Sequence, residues 1–189
     1  MKKIILVMFI FSILLYGRVI KEMKVEEKIK VYNQELILNG SGIRNKFFID
    51  VYIGSLYLEE LENDAESIIK SGKIKSMELI IVSNLITQKN LSGFLRSELK
   101  KSVAPKEFQL LEDDIQLFLS TFHEKIKKGD RFSFNIIPNV GVEVYKNNRL
   151  IKSVKSDDLG RRLIELWIGE NPVDENLKEE VLGIKTLTL

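Results

Sequence analysis

Few side chains in this sequence are equipped for chemistry, and most of those have a plainer reading as well. His123, the only histidine, follows Phe122 in a stretch with helical spacing. A Ser-His-Asp arrangement would need it in a pocket beside a nucleophile, and a zinc site asks for at least one more histidine or cysteine. The chain has no cysteine, neither set can be assembled, and His123 reads as a partly exposed helical residue. The carboxylates Glu59-Glu60 with Glu62, and Glu112-Asp113-Asp114, have the composition of a calcium site or an acid/base pair, but on helix surfaces they read as solvated charge. No catalytic residue, no metal and no cofactor is therefore expected.

Two other positions say more. Arg44 stands directly after Asn39-Gly40-Ser41-Gly42-Ile43 and before an apolar run. A guanidinium fixed there could fork onto a carboxylate or another anion; an exposed arginine on an edge strand is the alternative. Tyr52 lies in the following run with Asp50 and Gly54 on its face, where a phenol either shares a polar ligand with Arg44 or satisfies the core. Trp167, the single tryptophan, sits in the apolar segment 163–169 and either anchors a helix or walls a ligand.

The elements that must position these residues follow from hydrophobic spacing. Lys21 to Lys30 is charged and helix-compatible, whereas Val31 to Leu38 and Phe47 to Leu58 are rich in β-branched residues and read as strands. The two glycines between them mark a turn, a bulge or a close backbone approach. They are not a dinucleotide fingerprint, which needs a third glycine and a following helix. Asp64 caps a short helix to Lys70, and Met77 to Val82 is a strand. Gln88 to Lys101 forms a helix with Leu91, Phe94, Leu95 and Leu99 on one face. A second, long helix starts at Pro105 and carries an apolar stripe from Phe108 to Ile126. Alternation from Arg131 gives a strand, a turn at 138–141, a second strand, and an Asn147-Asn148 hairpin into a third. Helices capped by Ser156 and Asp174 end the chain. This order predicts an α+β domain with helices on one face of an antiparallel sheet.

Composition bounds the partners. With 29 basic and 27 acidic residues in 189, the net charge is thin and no basic block is long enough to track a phosphate backbone, which argues against nucleic acid. Lys2-Lys3 precedes an apolar run from Ile4 to Tyr16, the pattern of a signal peptide over residues 1–17, with the folded domain at 18–189. The run is shorter than the ~20 residues of a spanning helix. Export to the periplasm or outside the cell is expected, with an uncleaved anchor, and hence membrane proximity through this segment, as the alternative.

Taken together, residues 38–44, Phe48 through Tyr57-Leu58, Lys127-Lys128-Gly129-Asp130, and Ile164 to Gly169 with Pro172 and Leu182-Gly183 resemble the bacterial chalcone isomerase-like proteins over nearly all of the exported part. The resemblance implies an open-faced β-sandwich, one large antiparallel sheet with a layer of helices on one face. It also implies a choice, because the family holds plant isomerases and noncatalytic members, among them fatty-acid binders. The isomerases' arginine matches Arg44 and their following threonine falls on Tyr52. Their helical tyrosine and asparagine fall on Leu91 and Glu98, and their last hydroxyl residue falls near Gly160. Only the arginine is retained, so cyclisation has little to run on. Arginine with tyrosine in the threonine's place is instead similar to the fatty-acid-binding members, and implies Arg44 as cation and Tyr52 as hydroxyl donor for an amphiphilic carboxylate. One geometric difficulty stands against this pairing: a tight turn at Asn45-Lys46 would set Tyr52 roughly 17 Å along the strand from Arg44's partner, at ~3.3 Å per residue.

Three functions follow: a binder of a fatty acid or similar acid, an envelope scaffold for an unknown protein partner, and an isomerase or lyase using Arg44 on an enolate.

Overall fold

The computed structural model describes residues 17–185; the apolar N-terminal run lies outside them. The described residues open with a hairpin, β1 (Gly17–Ile20) and β2 (Met23–Glu26). A seven-stranded antiparallel sheet follows in strict sequence order: β3 (Lys28–Val31), β4 (Gln34–Lys46), β5 (Ile49–Leu58), β6 (Lys75–Ile81), β7 (Arg131–Ile137), β8 (Gly141–Lys146) and β9 (Arg149–Val154). Helix α1 (Ala65–Lys70) joins β5 to β6, while α2 (Gln88–Ser102), α3 (Pro105–Leu110) and α4 (Glu112–Leu119) join β6 to β7. The chain then runs through α5 (Asp157–Ile168) and α6 (Glu175–Val181). The fold is α+β, with the helices gathered on one face of the sheet.

Strand alternation sets what each face sees. From β6, Met77, Leu79 and Ile81 meet the helices, in one core with Leu91, Leu95, Phe118, Phe134 and Trp167. Ile80 points the other way, into a second core with Ile20, Val25, Ile53 and Tyr57. Every residue of β6 is buried because the β1–β2 hairpin covers the second face, tied down by Tyr57 Oη donating to the Glu26 carbonyl at 2.9 Å and Arg131 Nη2 donating to the Lys24 carbonyl at 2.7 Å.

That hairpin and β3 occupy the stretch 21–30, read above as helix-compatible. Its apolar positions, Met23, Val25 and Ile29, suit either period, and the need to cover the sheet decides for strands. The expected long helix from Pro105 also differs. It breaks at Leu111 and ends at Leu119, since Phe118 and Phe122 turn in to meet Phe134 and Phe132 at ring separations of 5.5–6.4 Å. Thr121 Oγ1 meanwhile donates to the Phe118 carbonyl at 2.7 Å, competing with continued helix. Helix starts follow their expected caps: Asp64, Ser156 and Asp174 each accept backbone N–H groups through their side chains, a contribution of about 1 kcal/mol apiece.

The glycine segment is not a turn. β4 runs straight through it with a bulge at Asn39, and α6 lies on the two glycines. A Cβ on Gly40 would stand 2.2 Å from the Glu180 carbonyl oxygen, and one on Gly42 would stand 1.9 Å from Glu180 Oε2. Asn39 Nδ2 donates to the Val181 carbonyl at 3.0 Å, and the Ile43 N–H donates to Glu180 Oε2 at 3.2 Å. The actual β4–β5 turn is Phe47-Phe48, both at positive φ.

Candidate functional site

The position of that turn removes the 17 Å difficulty. β4 extends to Lys46, and a second bulge falls between Arg44 and Asn45. Arg44 and Tyr52 are then directly opposite each other across the β4–β5 pair, with their side chains on the same, helix-covered face. Directly opposed residues have Cβ atoms about 5 Å apart, and the Arg44 guanidinium carbon lies 5.7 Å from the centre of the Tyr52 ring.

Three further elements close the site. Phe94 of α2 sits over the Arg44 guanidinium, 4.3 Å from its carbon to the ring centre. Trp167 of α5 donates from Nε1 to Tyr52 Oη at 3.0 Å and stacks on Phe134 at 5.8 Å. Asp174, the cap of α6, lies near enough to act on the phenol by charge. Tyr52 is 1% exposed, and burial pushes its pKa up to about 12 against the opposing pull of Arg44 and of the Trp167 hydrogen bond. The phenol is therefore neutral, and a donor, at any physiological pH.

Arg44 is 8% exposed, and no hydrogen bond or ion pair reaches its side chain among the described residues. Its Nε is buried with no partner. A buried guanidinium with no carboxylate is uncommon, because desolvation is repaid only when the charge is paired and its N–H groups are satisfied. Here two aromatic faces supply part of the compensation. Tyr52 Oη accepts from Trp167 and has no acceptor for its own proton among the described residues. The site thus presents a cation and a neutral O–H with nothing to bind. The arrangement suits an oxyanion.

The structure brings together both sequence-derived residues, Arg44 and Tyr52, and adds two whose part was not read. Phe94 was visible only as one of the apolar stripe of its helix. Trp167 was seen as anchor or wall, and it is an anchor whose N–H also fixes the phenol. The positions of the isomerases' other polar groups hold nothing for that chemistry. Leu91 is buried in the core, Glu98 pairs with Lys101 at 2.8 Å, and Gly160 packs against Ile136 and Val142. His123 is exposed, with Nδ1 3.1 Å from the Ser120 carbonyl. No group of three metal-ligating side chains occurs among the described residues. A cleft of about 480 Å³ between α1 and α5 is lined by residues such as Lys70, Arg162, Glu165 and Lys178 and includes neither Arg44 nor Tyr52.

A seven-stranded antiparallel sheet with helices on one face and a buried arginine–tyrosine pair at one end defines an open-faced β-sandwich. A sequence model of the chalcone isomerase-like family matches residues 17–183, and the chain belongs to that family. Comparison with curated proteins returns no match. Among solved structures, the fatty-acid binding protein AtFAP1 of Arabidopsis thaliana superposes with a TM-score of 0.71 at 21% identity, covering 88% of this chain and 96% of its own. At that identity the likeness establishes the fold.

Proposed function

We propose that this protein is a noncatalytic member of its family that binds a fatty acid or similar amphiphilic carboxylate, with the carboxylate on Arg44 and Tyr52. The observation that carries the reading is the buried, acceptor-free guanidinium beside a phenol with an uncommitted proton. A carboxylate would take a forked pair of bonds from Arg44 and a third from Tyr52, cancelling the buried charge in a low-dielectric setting where each bond is strong. A fatty-acid binding protein of the same fold supports the same choice. The aliphatic tail would lie between β5 and α2, against Leu91 and Leu95, which requires Phe94 to swing off the guanidinium. Export to the cell envelope belongs to this reading and is supported by the Lys2-Lys3 and Ile4–Tyr16 pattern.

The closed state of the site favours a second reading. Arg44 held between Phe94 and Tyr52 is also what a structural cation in an envelope scaffold would look like. Native mass spectrometry with lipid extraction on the protein and on Arg44→Ala, both purified from cells, separates the two. A co-purifying acid that the variant lacks supports the binder. If both proteins are folded, empty and take up no added fatty acid, the binder is refuted and the scaffold remains.

A further inference from the structure

The β4–β5 turn is built from the wrong residues for its shape. Phe47 and Phe48 sit at φ 51° and 64°, the left-handed pair of a two-residue type I′ turn, where asparagine and glycine are the usual occupants. The expected residues occur where Asn147 and Asn148 turn β8 into β9 at φ 50° and 66°; Lys21 and Glu22 turn β1 into β2 at φ 50° and 65°, so what sets the β4–β5 tip apart is its pair of aromatic rings. Bulky residues seldom take this conformation, and here no burial offsets the strain. Phe47 is 84% exposed, Phe48 is fully exposed and Ile49 is 43% exposed.

Charge surrounds this tip. The Lys46 Nζ lies 5.8 Å from the Phe47 ring centre. Lys127 and Lys128 are exposed and come to the same end of the sheet, since the following Gly129 donates its N–H to the Ile81 carbonyl at 2.8 Å. None of these three lysines is in an ion pair among the described residues. Lys128 lines one hollow with Lys21, Glu22 and Asp50, of which Lys21 and Asp50 are paired with each other at 3.0 Å. Leu85, 64% exposed, follows β6 at this end.

We infer that the Phe47-Phe48 tip docks on a lipid bilayer bearing anionic headgroups. A two-residue tip is convex and far too small for the ~800 Å² that one partner contributes to an ordinary protein interface. It is the right size to sink between headgroups, where aromatic rings settle at the water–hydrocarbon boundary and unpaired lysines meet lipid phosphates. The strain is then tolerated because it holds two rings outward. Arg44, on β4 three residues before Phe47, faces the helix layer at this end of the sheet. The docked tip therefore brings the candidate site to the bilayer. The inference stands on the turn itself and holds whether or not Arg44 binds an acid.

The test uses the full chain, flotation with phosphatidylcholine vesicles with and without phosphatidylglycerol, and the double variant Phe47→Asn/Phe48→Gly. The new pair is the preferred one for the turn, so the melting temperature should stay level or rise. Vesicle partitioning should fall at least about tenfold, as expected for withdrawing two aromatic rings from an apolar contact. Lys46→Glu with Lys128→Glu should remove the preference for phosphatidylglycerol. Three outcomes would overturn the inference. The double variant could partition unchanged, leaving all binding to the N-terminal apolar segment. It could lose melting temperature, showing that the rings hold protein contacts. It could lose self-association in place of vesicle binding, assigning the tip to a second copy of the chain.

Discussion

Replacing Arg44 by methionine should make the empty protein more stable. Arg44 is more than nine-tenths buried as a residue, its Nε has no partner, and neither carboxylate nor carbonyl bonds its side chain among the described residues. Exchanging buried charge for a well-packed apolar side chain of similar volume is often neutral or gains roughly 1–4 kcal/mol. Against this stands the loss of the cation–π contacts, good at 4.3 Å with Phe94 and weaker at 5.7 Å with Tyr52, together about 1–2 kcal/mol for a desolvated pair. The balance is a gain of about 1 kcal/mol. In a domain of this size that is a rise of roughly 2–4 °C in Tm, or a higher urea midpoint at unchanged slope. A long-chain fatty acid should then reverse the ranking. At a hundred times Kd it adds about 2.7 kcal/mol to the parent and almost nothing to the variant. A variant destabilised by about 2 kcal/mol or more without ligand would refute the reasoning, because it would show that the native structure already satisfies the charge.

Other substitutions test the surroundings. Tyr52→Phe leaves the Trp167 N–H buried without an acceptor and should cost about 1–3 kcal/mol in urea unfolding; Trp167 is the single tryptophan, and its emission should shift with the change. The parent should also lose stability between pH 10, the ordinary phenol value, and about pH 12, where folded Tyr52 keeps a proton that the unfolded chain has released; subtracting the Tyr52→Phe profile isolates this part. Gly40→Ala drives a methyl into the Glu180 and Val181 carbonyls and should cost about 3 kcal/mol, at the upper end for overpacking, read as a lower urea midpoint. Glu78, buried on the sheet's second face beside Arg131 and Ser133, has its pKa raised mainly by burial. Folded Glu78 holds its proton above the ordinary carboxyl range, so its contribution to stability falls as pH rises from that range to its own raised value. Urea midpoints across this window should decline less for Glu78→Gln than for the parent, and parallel profiles would exclude the assignment.

Much of the helix layer was legible because its signals are local. Asp64, Ser156 and Asp174 cap where they stand in sequence, and Gly183 ends α6 at φ 69°. The Asn147-Asn148 turn was equally plain, since side chain and backbone demand agree. Phe47-Phe48 was invisible for the opposite reason: nothing in its residue types asks for positive φ, so the apolar run appeared to begin one turn too early. That hid the register. Whether Arg44 faces Tyr52 depends on the turn position and on a bulge of one residue, and a shift of one would send one of the pair to the other face. The N-terminal hairpin was misread because its few apolar residues fit both periods, and the surface it covers is made by strands as far away as β7. Arg44 and Tyr52 were legible as candidates from their residue types and neighbours, and resemblance gave them their roles; their direct opposition came only from the fold.

The contact of α6 with Gly40 and Gly42 also sets an order of events. Most strand pairs join neighbours in sequence and can form as the chain emerges. The bonds from Asn39 and Ile43 to α6 instead span 142 and 137 residues, and closing so large a loop precedes any gain from the contact. Until residues 175–183 are available, β4 presents bare glycine backbone on its helix side, and the layer that encloses Tyr52 lacks one wall. Completion of the buried core is thereby tied to an element 137 to 142 residues downstream of the strand it covers. A chain whose α6 has yet to leave the ribosome is in a state that chaperones can hold and proteases can cut.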